Sequence, residues 1–100
     1  MTGPIDPRVI AEIWDIIGER AESPDPRSYT SRLLNDEKGI DKVLEKVGEE
    51  STEFILAVKN GVQERTVEET ADLLFHLLVA LRGAGIDLAD VMHELERRRK

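Results

Sequence analysis

The sequence contains no cysteine, so neither a disulfide framework nor a thiolate metal site or nucleophile can be built from it, and the redox environment places no constraint on the fold. No apolar run approaches the roughly 20 residues a membrane span needs. Met1 to Pro7 shows no basic segment followed by an apolar stretch, so a soluble, unsecreted, cytoplasmic protein without membrane contact is expected. Period-two alternation of apolar and polar residues occurs nowhere, which argues against β-strands, and there is no internal repeat or low-complexity tract. Bases are in deficit too. With 14 against 21 acids the formal net charge is -7, which repels nucleic-acid backbones and anionic membranes. The one basic run, Arg97-Arg98-Arg99-Lys100, reads as a set of helix-end cations offsetting the macrodipole rather than as a nucleic-acid patch.

What is present is helical periodicity. At 100 residues the chain suits one domain, spanning residues 1–100, with a single core. Asp6-Pro7 forms an N-cap followed by proline in the first turn, and Val9, Ile10, Ile13, Trp14 and Ile17 recur at helical spacing to about Ala21. Ser23-Pro24-Asp25-Pro26 cannot continue a helix, because two prolines remove donors and push their preceding residues to extended geometry. Ser28 to Leu34 makes a turn or two of helix before Asn35 to Gly39 breaks it. From Ile40 to Lys59 a narrow stripe of Ile40, Val43, Leu44, Val47, Ser51, Phe54, Ile55 and Val58 predicts a second long helix, stopped by Asn60-Gly61.

The next helix, about Gln63 to Arg82, carries Leu73, Leu74, Phe75, Leu77, Leu78, Val79, Ala80 and Leu81 around its C-terminal half. A helix apolar on all sides is buried on all sides, which in so small a chain points to a second copy covering it, and hence to a homodimer or higher oligomer. Gly83 and Gly85 close this helix, and Asp87 caps a last one with Leu88, Val91, Met92 and Leu95 on its stripe. Trp14 and Phe54 are read as core. The expected fold is all-α, an oligomerising bundle of four to five helices with an antiparallel helical hairpin at its centre.

Acids supply the chemistry. Glu50 with Glu53, and Glu69 with Asp72, are pairs three residues apart, and on a helix that spacing puts both carboxylates on one face. At 100° per residue, Lys46, Glu50, Glu53 and Ala57 fall within roughly 60° of one another at the edge of the apolar stripe, while Glu49 points closer to solvent. Glu69, Asp72 and His76 share one face of the next helix. Asn60-Gly61-Val62 is a short connection, so the two acidic faces can meet across the hairpin. Two pairs of like charge brought together demand a cation, and a hard, oxygen-loving divalent ion fits. Magnesium binds few carboxylates, keeps waters and joins substrate phosphates, so acids alone on helices point to phosphoanhydride chemistry. The bland alternative is that Glu49 and Glu53 are merely solvated and that Thr66 to Glu69 is a capping box. Against it stands Asp72, a poor helix former placed immediately before Leu73-Leu74. His76 reads as a core histidine or as support for Asp72.

The pattern Glu49-Glu50-x-x-Glu53, fifteen intervening residues, then Glu69-x-x-Asp72 resembles the signature of the all-α nucleoside triphosphate pyrophosphohydrolases, the MazG-like superfamily. Flanking residues narrow the likeness. Ser28-Tyr29-Thr30 with Leu33-Leu34, Lys46-Val47-Gly48-Glu49-Glu50, Ala57 with Lys59-Asn60-Gly61, Glu69-x-Ala71-Asp72-Leu73-Leu74-x-His76-Leu77-Leu78, and Gly85-x-x-Leu88-x-x-Val91 resemble the phosphoribosyl-ATP pyrophosphohydrolase family. Phe75 departs from the tyrosine frequent there, and Ser51-Thr52 from alanine-rich pairs.

The resemblance implies hydrolysis of phosphoribosyl-ATP to phosphoribosyl-AMP and pyrophosphate, the second step of histidine biosynthesis, in a free-standing form. It implies that Glu50, Glu53, Glu69 and Asp72 hold Mg2+, with Glu49 orienting or deprotonating the attacking water and His76 behind Asp72. Lys46, Lys59, Arg32 and Tyr29 are candidates for phosphate and ribose contacts. A house-cleaning pyrophosphohydrolase acting on ordinary or damaged nucleoside triphosphates would share the acids, and a non-enzymatic helical dimer serving as an interaction module would need none of this chemistry.

Overall fold

In the computed structural model, which describes residues 3–99, five helices follow one another: α1 (Arg8–Glu22), α2 (Tyr29–Leu34), α3 (Ile40–Lys59), α4 (Gln63–Gly83) and α5 (Leu88–Arg98). The class is all-α, as expected. Met1, Thr2 and Lys100, which entered the readings of the N-terminus and the basic run, lie outside the described residues. Local chemistry explains the boundaries. The Asp6 carboxylate accepts the Arg8 backbone N–H at 3.1 Å, and Pro7 has no N–H to leave unpaired. Ser28 caps α2 by accepting the Ser31 N–H at 3.2 Å. The buried Ser31 hydroxyl donates to the Arg20 carbonyl at 2.9 Å and accepts the Asp25 N–H at 3.1 Å, tying the two-proline loop to the end of α1. Asp87 caps α5 by accepting the Ala89 N–H at 2.9 Å.

Ile17, Val43 and Val79, each at most 1 % exposed, form the centre of the core with Leu33, Leu78 and Leu88. Trp14 packs against this cluster as expected, together with Ile10, Ile13 and Phe75. Phe54 does not belong to it and is only half-buried. Basic residues at the end of α5 pair with the preceding turn: Arg98 Nε lies 2.7 Å from Glu94 Oε2, and Arg97 Nε donates to Glu94 Oε1 at 3.1 Å.

Most of the tertiary contact lies between α3 and α4, which form the predicted antiparallel hairpin around a Gly61 at φ 68°. Its seam differs from the apolar stripe. On α3 the buried residues are Val43, Glu50 and Ala57, spaced by seven, and on α4 they include Glu69 and His76, also seven apart. Ile40, Leu44, Ile55 and Val58 from the stripe are exposed instead. Gly83, seven beyond His76, is the last residue of α4 rather than its terminator, since a Cβ there would stand 2.8 Å from the Ile40 side chain. Gly85, at φ 74°, is the stop. Thr66 caps nothing. It lies in the first turn of α4, its hydroxyl donating to the Val62 carbonyl at 3.0 Å, so the capping-box reading fails.

The C-terminal half of α4 was expected to be buried on all sides. Within one chain it is not: Leu74 and Leu77 are 47 % and 41 % exposed. The seam buries only the face of α4 carrying Glu69 and His76, and α1 covers part of the rest.

Candidate active site

The seven-residue spacing along the seam brings the acids together. Glu50, Glu69 and Asp72 offer carboxylate oxygens that all lie within 4.8 Å of one another. Glu50 and Glu69 are 7 % and 3 % exposed, whereas Asp72 faces solvent. Glu53, one turn beyond Glu50, stands at the open edge and acts on both buried acids through carboxyl–carboxyl hydrogen bonding and through its charge. Three of the four acids paired on sequence grounds thus converge, with Glu53 beside them. Burial, and then Glu53, push the Glu69 carboxyl up to about 7, and the same two causes raise Glu50 above its ordinary range.

Among the described residues, Oε2 of Glu50 and Oε2 of Glu69 are buried without a hydrogen-bond partner. Such atoms are costly unless something compensates them. An all-oxygen donor set with two unpartnered buried carboxylate oxygens suits a hard divalent cation and offers nothing to a soft one. The residues present therefore fit magnesium.

Two side-chain cations border the cluster. Lys46 Nζ lies 3.4 Å from Glu49 Oε2 and 3.9 Å from Glu50 Oε1. Glu49 is exposed and held at the rim by that contact. Arg65 escaped the sequence reading: its Nη2 donates to Glu69 Oε1 at 2.5 Å and its Nη1 to Glu68 Oε1 at 3.3 Å. The i,i+4 spacing of Arg65 and Glu69 was the available signal.

From α2, Tyr29 reaches the seam. Its hydroxyl lies 2.8 Å from His76 Nε2, while His76 Nδ1 lies 2.8 Å from the Asp72 backbone carbonyl oxygen. His76 thus meets the main chain of Asp72 and not its carboxylate. The Tyr29 ring stacks on Phe75 at 6.3 Å between centroids, and burial raises its phenol above the ordinary value. Lys46, Glu50, Glu49 and Asp72 all exert their charge on that phenol, so it borders the acids. Arg32 and Lys59 are placed elsewhere. Arg32 donates to the Pro26 carbonyl at 2.9 Å and lines a surface groove with Pro24, Asp25 and Asp36 that contains none of the acids. Lys59, exposed at the end of α3, forms no ion pair with the cluster among the described residues.

An all-helical bundle that buries opposed carboxylates across a hairpin has the features of the all-α pyrophosphohydrolase class that the sequence pattern resembles. Residues 10–99 match the family described as phosphoribosyl-ATP pyrophosphohydrolase. A phosphoribosyl-ATP pyrophosphatase from Methanoregula boonei is 74 % identical over 97 residues, covering 97 % of this chain and 93 % of its own. Another from Methanoculleus marisnigri is 61 % identical over 95 residues, covering 95 % and 98 % respectively. The chain belongs to the phosphoribosyl-ATP pyrophosphohydrolase family and is a hydrolytic enzyme.

Proposed function

We propose that this protein, acting as a single domain over residues 1–100, hydrolyses phosphoribosyl-ATP to phosphoribosyl-AMP and pyrophosphate in histidine biosynthesis, with Mg2+ as cofactor and in the cytoplasm. Family membership and the names of the relatives support the substrate. One observation carries the metal: Glu50 and Glu69 each keep an unpartnered buried oxygen, on carboxylates that gather with that of Asp72 to within 4.8 Å. Glu50, Glu53, Glu69 and Asp72 would hold the ion, which when bound supplies charge neutralisation to the substrate's phosphates and the leaving pyrophosphate. Glu49, exposed at the rim, orients or deprotonates the water that attacks between the α and β phosphorus atoms. Lys46 stands between Glu49 and the cluster, where its ammonium meets a phosphate oxygen. Tyr29 borders the same space and contributes a polar contact. Arg32 and Lys59 act only if substrate extends beyond the acid cluster.

The working unit in this reading is a homodimer. Accessible surface supports it: the chain exposes 7546 Å², where a compact monomer of its mass exposes about 5,700 Å². The excess, about 1,800 Å² per chain and so about 3,600 Å² over two, lies in the range an obligate interface removes. Leu44, Ile55, Val58, Leu74 and Leu77 supply an apolar face of the right kind on the outside of the hairpin.

Pyrophosphate release from phosphoribosyl-ATP, run beside dATP, dUTP and dCTP with magnesium and again with excess chelator, tests the assignment. Release from phosphoribosyl-ATP alone, abolished by chelator, is expected. Turnover of the deoxynucleotides instead would keep the acid site and move the protein to the nucleotide-pool branch, and no release from any of them would leave a helical interaction module.

A further inference from the structure

We propose that His76 is a positioning residue that fixes the Tyr29 hydroxyl as a hydrogen-bond acceptor for a sugar hydroxyl of the substrate. The inference rests on the acid cluster being the site of hydrolysis. It begins with the two ring nitrogens of a histidine that is 5 % exposed. Nδ1 lies 2.8 Å from the Asp72 carbonyl oxygen, which can only accept, so Nδ1 carries the hydrogen. In the neutral ring Nε2 is then an acceptor. Tyr29 lies 2.8 Å from it and donates its O–H. The first contact lies within α4, one turn back, and the second crosses the fold: Tyr29 belongs to α2 and His76 to α4, 47 positions later. Edge-on packing of the His76 ring against Tyr29 and Phe75 restrains it further, at interplanar angles of 87° and 84°.

Once its hydrogen is given inward to His76, the phenol presents only lone pairs outward. Tyr29 remains 42 % exposed, so a ligand at the seam can reach it. Phosphate oxygens are themselves acceptors and gain nothing from such a group. A donor is required. In a nucleotide whose phosphates meet the acid cluster, the donor next along the molecule is a hydroxyl of the sugar joined directly to the phosphate chain, while the base stands a sugar's width further away. His76 therefore decides which way the phenol points, and Tyr29 makes the contact.

The test uses the intact protein and phosphoribosyl-ATP. Tyr29→Phe keeps the ring against Phe75 and removes the hydroxyl, and should raise KM about tenfold with kcat within about twofold. His76→Asn retains an amide donor near the Nδ1 position but offers no acceptor at Nε2, and should match Tyr29→Phe. His76→Gln carries an amide oxygen out to the Nε2 position and should bring KM back to within about threefold of the wild type. The double variant Tyr29→Phe with His76→Asn should be no worse than either single one. Wild-type Tyr29 should also lose its advantage over Phe on a substrate whose phosphate-linked sugar lacks the contacted hydroxyl. Long-range 1H–15N correlation spectra should report the Nδ1–H tautomer for His76 with or without substrate. An unchanged KM for Tyr29→Phe, an Nε2–H tautomer, His76→Gln as impaired as His76→Asn, or an equal Tyr29 advantage on the 2′-deoxy and 3′-deoxy substrates would each overturn the proposal. Failure of the underlying site looks different: the wild type itself would release no pyrophosphate.

Discussion

Magnesium should bind more tightly as pH rises, because the ion and a proton compete for Glu69. The carboxyl of that residue is raised from 4.5 to about 7, by burial first and by Glu53 next. An ion can use it only when it is ionised, so occupancy is weighted by the deprotonated fraction, roughly a tenth at about pH 6 and nine-tenths at about pH 8. From this group alone the apparent Kd should fall about tenfold between those two pH values. Isothermal titration with Mg2+, or with Mn2+ followed by electron paramagnetic resonance, reads it directly. Stability carries the same signature with the opposite sign. In chelator the folded protein holds a proton on Glu69 that the unfolded chain has released above about 4.5. The folded state is favoured at low pH, and that advantage is lost as pH rises through about 7. Tm in chelator should therefore drop between about pH 5 and pH 8, and the rise in Tm on adding magnesium should be larger at pH 8. Asp6, Asp25 and Glu94 do not blur the window, since arginine partners lower all three and they are already ionised at pH 5. Glu69→Gln should flatten most of the slope, leaving the contribution of Glu50, which is raised as well. A Kd independent of pH, or a chelator Tm that climbs over this range, would refute the reasoning.

Glu53→Gln should abolish pyrophosphate release while circular dichroism stays that of the wild type and Tm does not fall, because Glu53 is exposed and its carboxylate disfavours ionisation of buried Glu50 and Glu69; retained turnover would remove it from the ligand set. Placing a charge on the outer face of the hairpin, as in Leu77→Glu, should shift the protein from dimer to monomer in sedimentation velocity, and a monomeric wild type would end that reading. Ile17→Ala removes a side chain that is 1 % exposed in the middle of the core and should cost about 3 kcal/mol, seen as a lower denaturation midpoint at unchanged m-value. Gly85→Ala should cost about 1 kcal/mol by chemical denaturation, because φ 74° suits glycine and strains alanine.

Local signals in the sequence determined the elements and their ends. Asp6-Pro7, Ser28, Asn60-Gly61 and Asp87 act over a few residues, through caps and a left-handed glycine, and each stands where its chemistry placed it. The three-residue spacing of Glu50 with Glu53 and of Glu69 with Asp72, joined by a short turn, was likewise enough to bring Glu50, Glu69 and Asp72 into one cluster with Glu53 beside it. Local spacing cannot say which side of a helix another helix will cover, and there the apolar stripe of α3 misled. Ile40, Leu44, Ile55 and Val58 face outward while Glu50 is buried, because the hairpin packs along the row of Val43, Glu50 and Ala57. Only the packed seam decided that Glu50 and Glu69 each leave an oxygen unpartnered, that Arg65 rests on Glu69, and that His76 turns toward Tyr29 rather than toward the Asp72 carboxylate. Those facts depend on contacts between residues far apart in the chain, where burial and hydrogen-bond geometry are set by how helices meet and not by the order of residues along any one of them.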